Sequence, residues 1–422
     1  MTKATITSVL ILCLGLGLGG QGQAADETSR VFAAYKDEVV QIQLIDVASG
    51  SKASIGSGFR VSADGLLVTN FHVVSALIYN PERYFAEFVS ENGDRGNVEL
   101  RAIDVVHDLA LLKADAPSDA FLELADTAPN KGERLYAFGN PHDIGLTIVE
   151  GTYNGLREKS MYDKIHFTAS INPGMSGGPT INRSGAVVGV NVSTAGNQLS
   201  FLVPVKYVAE LVRQRTAPAT SAPDFTALAT TQLLDNQASY VDRLLGLPVV
   251  FTNMSQFQAL GRIADFLNCW GDTQREDDAL YEWAYQSCST SDDLFLSDHQ
   301  TSGVISFTHE LFSTEELDRL RFFGFLQDRF QVFRPTTESD EEMVTNFDCE
   351  TDFVKHGATT TKVVFCLRAY KKFDGLFDAY LKASVLATPS EALQSTLSLA
   401  GVSFDNAMRV SKRFLESIQW TK

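Results

Sequence analysis

The sequence predicts a multidomain chain in which an all-β double barrel is followed by an α+β domain. Short β-rich runs broken by Gly, Asn and Asp turns fill the chain to about Pro204, the pattern a pair of barrels requires. Thr216-Ala217-Pro218-Ala219-Thr220-Ser221-Ala222-Pro223 then reads as a linker by its Pro, Ala and Ser content. Beyond it, apolar residues switch to helical spacing with a few strands between. A length of 422 residues by itself suggests two or three domains, and 44% hydrophobic residues suffice for substantial cores. The expected divisions are a targeting segment at 1–24, the barrels at 25–215, a linker at 216–224 and the α+β domain at 225–422.

Lys3, the apolar run Val9 to Leu18 and the small-residue site Gly22-Gln23-Ala24 have the layout of a signal peptide. No later stretch approaches the roughly 20 apolar residues of a membrane span. The mature chain is therefore expected to be exported, to a bacterial periplasm or the medium, without a membrane span. Cys13 follows Leu12 rather than a small residue, which argues against lipoprotein processing. The other four cysteines lie in the C-terminal half, and an even count in an exported chain favours two disulfides. Of the three possible pairings, the expected one joins sequence neighbours, Cys269 with Cys288 and Cys349 with Cys366. Their spacing does not resemble a zinc site.

A net charge of −17 argues against nucleic acid as a partner and keeps an exported protein soluble. His107, His142, His166, His299, His309 and His356 show no ligand spacing, so no metal or cofactor is expected.

A short helix over 27–37 leads into a strand from Glu38 to Ile45. Gly56 to Val74 reads as two strands turning at Asp64-Gly65, with His72 just past the second. Asp108 stands at the mouth of the apolar strand Leu109-Ala110-Leu111-Leu112. Lys206 to Arg215 reads as a closing helix. In the C-terminal half, 232–245, 255–267 and 274–286 carry helical spacing. Ser313-Thr314-Glu315-Glu316 is a capping box opening a helix toward Phe330, and Thr388-Pro389-Ser390-Glu391 places proline in the first turn of another. Val344 to Phe353 and Thr361 to Tyr370 read as strands joined near His356-Gly357. The aromatic stripe Phe322, Phe323, Phe325, Phe330, Phe333 is read as core.

Chemistry concentrates in Ile171-Asn172-Pro173-Gly174-Met175-Ser176-Gly177-Gly178-Pro179. A serine among glycines supplies a hydroxyl and, with Gly174, two backbone amides that can face one point: a nucleophile beside an oxyanion hole. Such a hydroxyl needs a base, and the base a carboxylate to orient it. His72 and Asp108 are the upstream candidates. Asp104 is set aside because Asp108 directly precedes the Leu-Ala-Leu-Leu run.

In Gly-Ser-Gly-Phe, Thr-Asn-Phe-His-Val-Val, His-Asp-Leu-Ala-Leu-Leu-Lys, Ile-Asn-Pro-Gly-Met-Ser-Gly-Gly-Pro and Phe201-Leu202-Val203-Pro204, the chain resembles the trypsin-like serine proteases, and among them the HtrA (Deg) type. The resemblance covers roughly residues 31 to 212 and implies a chymotrypsin-like barrel pair. His72 would be the general base, Asp108 its carboxylate, Ser176 the nucleophile, and the Gly174 and Ser176 amides the oxyanion hole. It also implies a specificity pocket at Ser170 and Ile171, with Leu199 either lining that pocket or filling the barrel core. Ser170 in place of an aspartate disfavours cleavage after Lys or Arg and suggests small or medium apolar residues. Met175 departs from the aspartate of digestive relatives, and its side chain should face inward. No PDZ-like segment follows residue 224.

The expected function is thus a serine endopeptidase acting on polypeptides. The alternative is a catalytically weak binding or chaperone-like module regulated by the C-terminal domain. Phe32 and Tyr35 are the aromatics through which a homo-oligomer could form, or they pack within one barrel.

Overall fold

The structure is a computed structural model that describes residues 19–115, 117–194, 196, 198–214, 223–274, 279–333, 335, 339–356 and 359–421. Most of the expected signal segment and the expected linker at 216–222 lie outside the described residues.

Helix α1 (Gly19–Tyr35) leads into a closed antiparallel barrel of β1 (Val39–Asp46), β2 (Lys52–Arg60), β3 (Leu66–Thr69), β4 (Tyr84–Ser90), β5 (Arg95–Asp104) and β6 (Leu109–Ala114), ordered β1-β2-β3-β6-β5-β4. The Asp64-Gly65 turn joins β2 to β3 as expected, with Gly65 at φ 90°. Helix α2 (Phe71–Tyr79) follows β3 directly. A second closed barrel contains β7 (Arg134–Gly139), β8 (Thr147–Leu156), β9 (Ile165–Thr168), β10 (Pro179–Ile181), β11 (Val187–Thr194) and β12 (Ser200–Pro204), and α3 (Val205–Arg213) closes it. Phe59, Val68, Leu111, Phe138, Ile181 and Val203 pack between the barrels, fixing how one sits on the other. Phe32 stacks on Phe138 with centroids 6.1 Å apart, and the Tyr35 hydroxyl donates to Ser184 O at 2.8 Å. Both aromatics are thus engaged within the barrel.

The C-terminal half is α+β. Helix α4 (Phe225–Gly246) begins with Asp224 accepting from Ala227 N, an N-cap that ties down the first turn. The strands are β13 (Phe251–Met254), β14 (Phe257–Leu260), β15 (Leu267–Gln274), β16 (Glu282–Thr290), β17 (Leu294–Ser297), β18 (Gln300–Ser302), β19 (Ile305–Ser313), β20 (Asp348–His356), β21 (Thr359–Ala369), β22 (Phe377–Thr388), β23 (Glu391–Val402) and β24 (Gln419–Trp420). Seven of them form an antiparallel sheet ordered β15-β16-β19-β23-β22-β21-β20. Helices α5 (Arg319–Gln331) and α6 (Phe404–Glu416) complete this half. Cys269 is bonded to Cys288 and Cys349 to Cys366, each pair directly opposed in register across β15–β16 and β20–β21. Phe322 and Leu326 bury with Phe312 and Ala392, Phe323 and Phe325 pack against them and Phe330 is buried, so these members of the aromatic stripe are core, as expected, whereas Phe333 lies past α5 and is 44% exposed.

Three helical expectations are corrected. Residues 255–267 form a turn and β14, because Phe257, Ala259 and Leu260 bury in the core and pair with neighbouring strands. The stretch 274–286 holds the end of β15 and the first half of β16, where strand pairing overrides helical spacing. Pro389-Ser390 is a two-residue loop joining β22 to β23, with Thr388 opposite Glu391; proline marks turns as readily as helix starts. The capping box is half right. Thr314 Oγ1 accepts from Glu316 N and Leu317 N, but α5 starts at Arg319, capped by Asp318.

The two halves share a core. Leu67, Phe71, Val74 and Phe88 of the first barrel cluster with Ala229 and Leu233 of α4, Leu294 and Leu296 of β17, and Phe373 and Leu376. Gln232 of α4 strengthens the join, donating to Ile103 O at 2.8 Å and accepting from Val105 N at 2.9 Å.

Candidate active site

The site lies where β3, the turn before β6 and the loop before β10 meet. Asp108 sits at φ 55°, a left-handed conformation that aspartate tolerates better than most residues. Three bonds hold it there. Its Oδ1 accepts from His72 N at 2.9 Å, its Oδ2 lies 2.7 Å from His72 Nδ1, and its carbonyl accepts from Asn70 Nδ2 at 2.7 Å. A carboxylate only accepts, so His72 Nδ1 carries the proton and Nε2 is left as the basic nitrogen. Desolvation pushes the His72 pKa down, but the charge and hydrogen bond of Asp108, helped by the charge of Asp298, outweigh it and leave the pKa raised. Asp104, the rejected competitor, pairs instead with His107 at 2.7 Å.

The serine loop is a set of tight turns. Met175 N donates to Asn172 O at 3.0 Å across Pro173 and Gly174, and Gly174 has φ 95°. Proline followed by a positive-φ glycine is the chemistry of a type II turn. A Cβ at Gly174 would lie 2.4 Å from Asn140 O, so only glycine fits. Neither the Gly174 nor the Ser176 amide donates to another group among the described residues, so both N–H groups are free to bind an incoming oxygen. Met175 faces inward, as expected, and buries fully with Leu135, Phe167 and Ile171.

Two residues the sequence reading did not single out brace this loop. Ser57 Oγ donates to Gly174 O at 2.7 Å while accepting from Asn140 N at 2.9 Å. Buried Asn191 donates to Phe138 O at 2.8 Å and Met175 O at 3.2 Å, and accepts from Thr180 at 2.6 Å. The Ser57 amide also donates to Ser176 O at 2.7 Å. A Cβ on Gly177 would lie 2.2 Å from Ser57 O and 2.9 Å from Asn70 N. The serine loop therefore packs directly against the segment carrying His72.

The Ser176 hydroxyl donates to Val192 O at 3.5 Å rather than to His72. That length is beyond the usual range for an O–H donor, so the hydroxyl is weakly held and little opposes its rotation to a better acceptor. Of the expected pocket residues, Ser170 and Leu199 are half-buried, whereas Ile171 is 4% exposed and belongs to the second barrel's core. The Ile171 amide donates to Ser200 Oγ at 3.2 Å.

Beside the His72–Asp108 pair lies a cavity of about 310 Å³. Part of its wall comes from the C-terminal half, through Asp293, Leu294 and Phe295. The Phe295 ring meets the His72 ring at a centroid distance of 5.6 Å and 64°. No sequence signal pointed to this hairpin.

A histidine, an aspartate and a serine thus stand at the junction of paired barrels, and residues 56–190 match the trypsin-like peptidase domain family. More particularly, the curated proteins it resembles are HtrA and Deg proteases. Serine protease HTRA1A of Danio rerio is 32% identical over 246 residues, covering 54% of this chain and 47% of that protein. Human serine protease HTRA3 is 35% identical over 164 residues, 36% of each chain. A probable periplasmic serine endoprotease DegP-like protein of Brucella suis biovar 1 is 34% identical over 171 residues, covering 38% of this chain and 32% of that one. The chain thus spans about half or less of the length of these relatives. Among solved structures, Deg5 aligns at a TM-score of 0.40 with 28% identity, over 45% of this chain and 94% of that chain.

Proposed function

We propose that the chain is an exported serine endopeptidase whose barrels, within residues 25–215, carry the chemistry. The His72–Asp108 pairing, with a proton fixed on Nδ1, is the observation that carries the reading. In this mechanism the Ser176 hydroxyl turns from Val192 O toward His72 Nε2, gives up its proton and attacks the peptide carbonyl. The Gly174 and Ser176 amides bind the oxyanion, each such donor contributing roughly 10² to 10³ in turnover. His72 then protonates the leaving amine, and water releases the acyl group by the reverse sequence. Asp108 holds the imidazole and stabilises its charged form.

For specificity, Ser170 and Leu199 would border the pocket, and the absence of a carboxylate at Ser170 favours small or medium apolar residues. Buried Ile171 would act by shaping the pocket floor rather than by touching substrate. Export rests on the signal-like segment at 1–24, and the two disulfides and the periplasmic DegP-like relative fit it.

A fluorophosphonate probe tests the core of this. It should label the wild-type protein at Ser176, not label Ser176→Ala, and be competed by peptides with apolar residues before the scissile bond. A folded wild-type protein that takes no label would refute the reading.

A further inference from the structure

The cavity beside His72 is closed on one side by the domain that the peptidase resemblance does not reach. We infer that the α+β domain builds part of the substrate cleft, with Leu294 and Phe295 bounding a second side-chain subsite for a large apolar residue. This rests on the endopeptidase reading and extends it to a surface that this domain supplies.

The hairpin of β17 and β18 is anchored rather than laid loosely over the cleft. Asp292, 2% exposed, accepts from Ser160 Oγ at 2.7 Å, Met161 N at 2.8 Å and Arg157 Nη1 at 3.0 Å, with Lys164 Nζ at 3.6 Å. All four partners belong to the loop between β8 and β9 of the second barrel. Next along the chain, Leu294 and Leu296 are 4% and 0% exposed in the core shared with the first barrel. The hairpin is therefore pinned to both barrels at once. Phe295, between the two buried leucines, stays half-exposed, packing in part on that shared core and meeting the His72 ring.

Space remains in front of it. With the hairpin seated, the cavity persists, walled by Val105, Val106, Val192 and Val203 as well as by Leu294 and Phe295. The apolar part of that wall, next to the base, suits a leucine-sized or aromatic side chain of a bound peptide, while Asp163, Lys164 and Asp293 also line the space. Val192, whose carbonyl takes the Ser176 hydroxyl, lies in the same wall. A segment that blocked the site would fill this space instead of edging it.

The test uses full-length protein and a peptide library varied at each position around the scissile bond, comparing wild type with Phe295→Ala and Phe295→Trp. The expected result is a change confined to one substrate position: the alanine variant admits larger side chains there by several-fold, and the tryptophan variant shifts preference to smaller ones. The same library is bound to each variant in a Ser176→Ala background, which reads the subsite without turnover. A size shift in binding with no cleavage by the wild type would sink the endopeptidase reading and leave the subsite standing. An unchanged profile in both assays would overturn the inference. So would a uniform tenfold rise for all peptides on Phe295→Ala, the behaviour of a plug.

Discussion

Replacing Asp292 with alanine removes a buried carboxylate that takes three hydrogen bonds and a further ionic contact from one barrel loop. Its partners do not lose everything: the Arg157 and Lys164 side chains are 25% and 23% exposed and regain some water. The part-buried Met161 amide recovers less, while the Ser160 hydroxyl keeps Tyr162 O at 2.6 Å as its acceptor. Breaking a buried ion pair costs about 3 to 5 kcal/mol, and partial rehydration of the cations puts this case near the lower end, about 3 kcal/mol. For a cooperative unit of this length that is a fall in Tm of about 3 to 4 °C. Urea unfolding of Asp292→Ala, Arg157→Ala and the double variant measures both the loss and the coupling, which should be about 1 to 3 kcal/mol for groups in direct contact. The loss should change little between low and high salt, because a desolvated pair is weakly screened. A loss below about 0.5 kcal/mol, or strictly additive variants, would show that Asp292 does not hold the halves together.

Two further outcomes depend on histidine protonation. In the proposed mechanism His72 works as a neutral base, and the Asp298 charge helps raise its pKa, so Asp298→Asn should move the acid limb of the kcat/KM profile to lower pH; an unmoved limb would deny the hairpin any electrostatic role. His309 is fully buried between Ser395 Oγ and Leu260 O, and desolvation lowers its pKa to about 4. Because the unfolded chain binds this proton more readily, the associated stability is complete above about pH 6.5 and is lost as pH falls toward 4, to a total of about 3 kcal/mol. His309→Gln should flatten that part of the stability curve in urea titrations at stepped pH.

The first half was legible because its chemistry is local. Asp64-Gly65 can hardly be anything but a turn, and Pro173-Gly174 carries its conformation in its residue types. His72 and Asp108 were found because each stands beside a strand whose pattern announces itself. Ser57 and Asn191 were not, since their hydrogen bonds reach across 117 and 53 residues to carbonyls that any residue could supply. Spacing misled in the C-terminal half for a related reason. β23 is buried on both faces at the centre of a wide sheet, so Ala392, Leu393, Leu397, Leu399 and Ala400 show no clean alternation. Asp292 and Phe295 gave no signal at all, because their meaning arises only when two distant parts of the chain come together.

The two cysteine pairs have a consequence for how the protein meets its neighbours. The wide C-terminal sheet ends in β15 on one side and β20 on the other, and each outermost strand is riveted to the next one inward. Outer strands are where foreign chains add on, where copies of one protein exchange segments, and where fibrils begin. Each crosslink, joining cysteines 19 and 17 positions apart, also restricts the disordered chain by about 3 kcal/mol. The two crosslinks thereby keep the margins of the sheet from peeling open to pair with other chains.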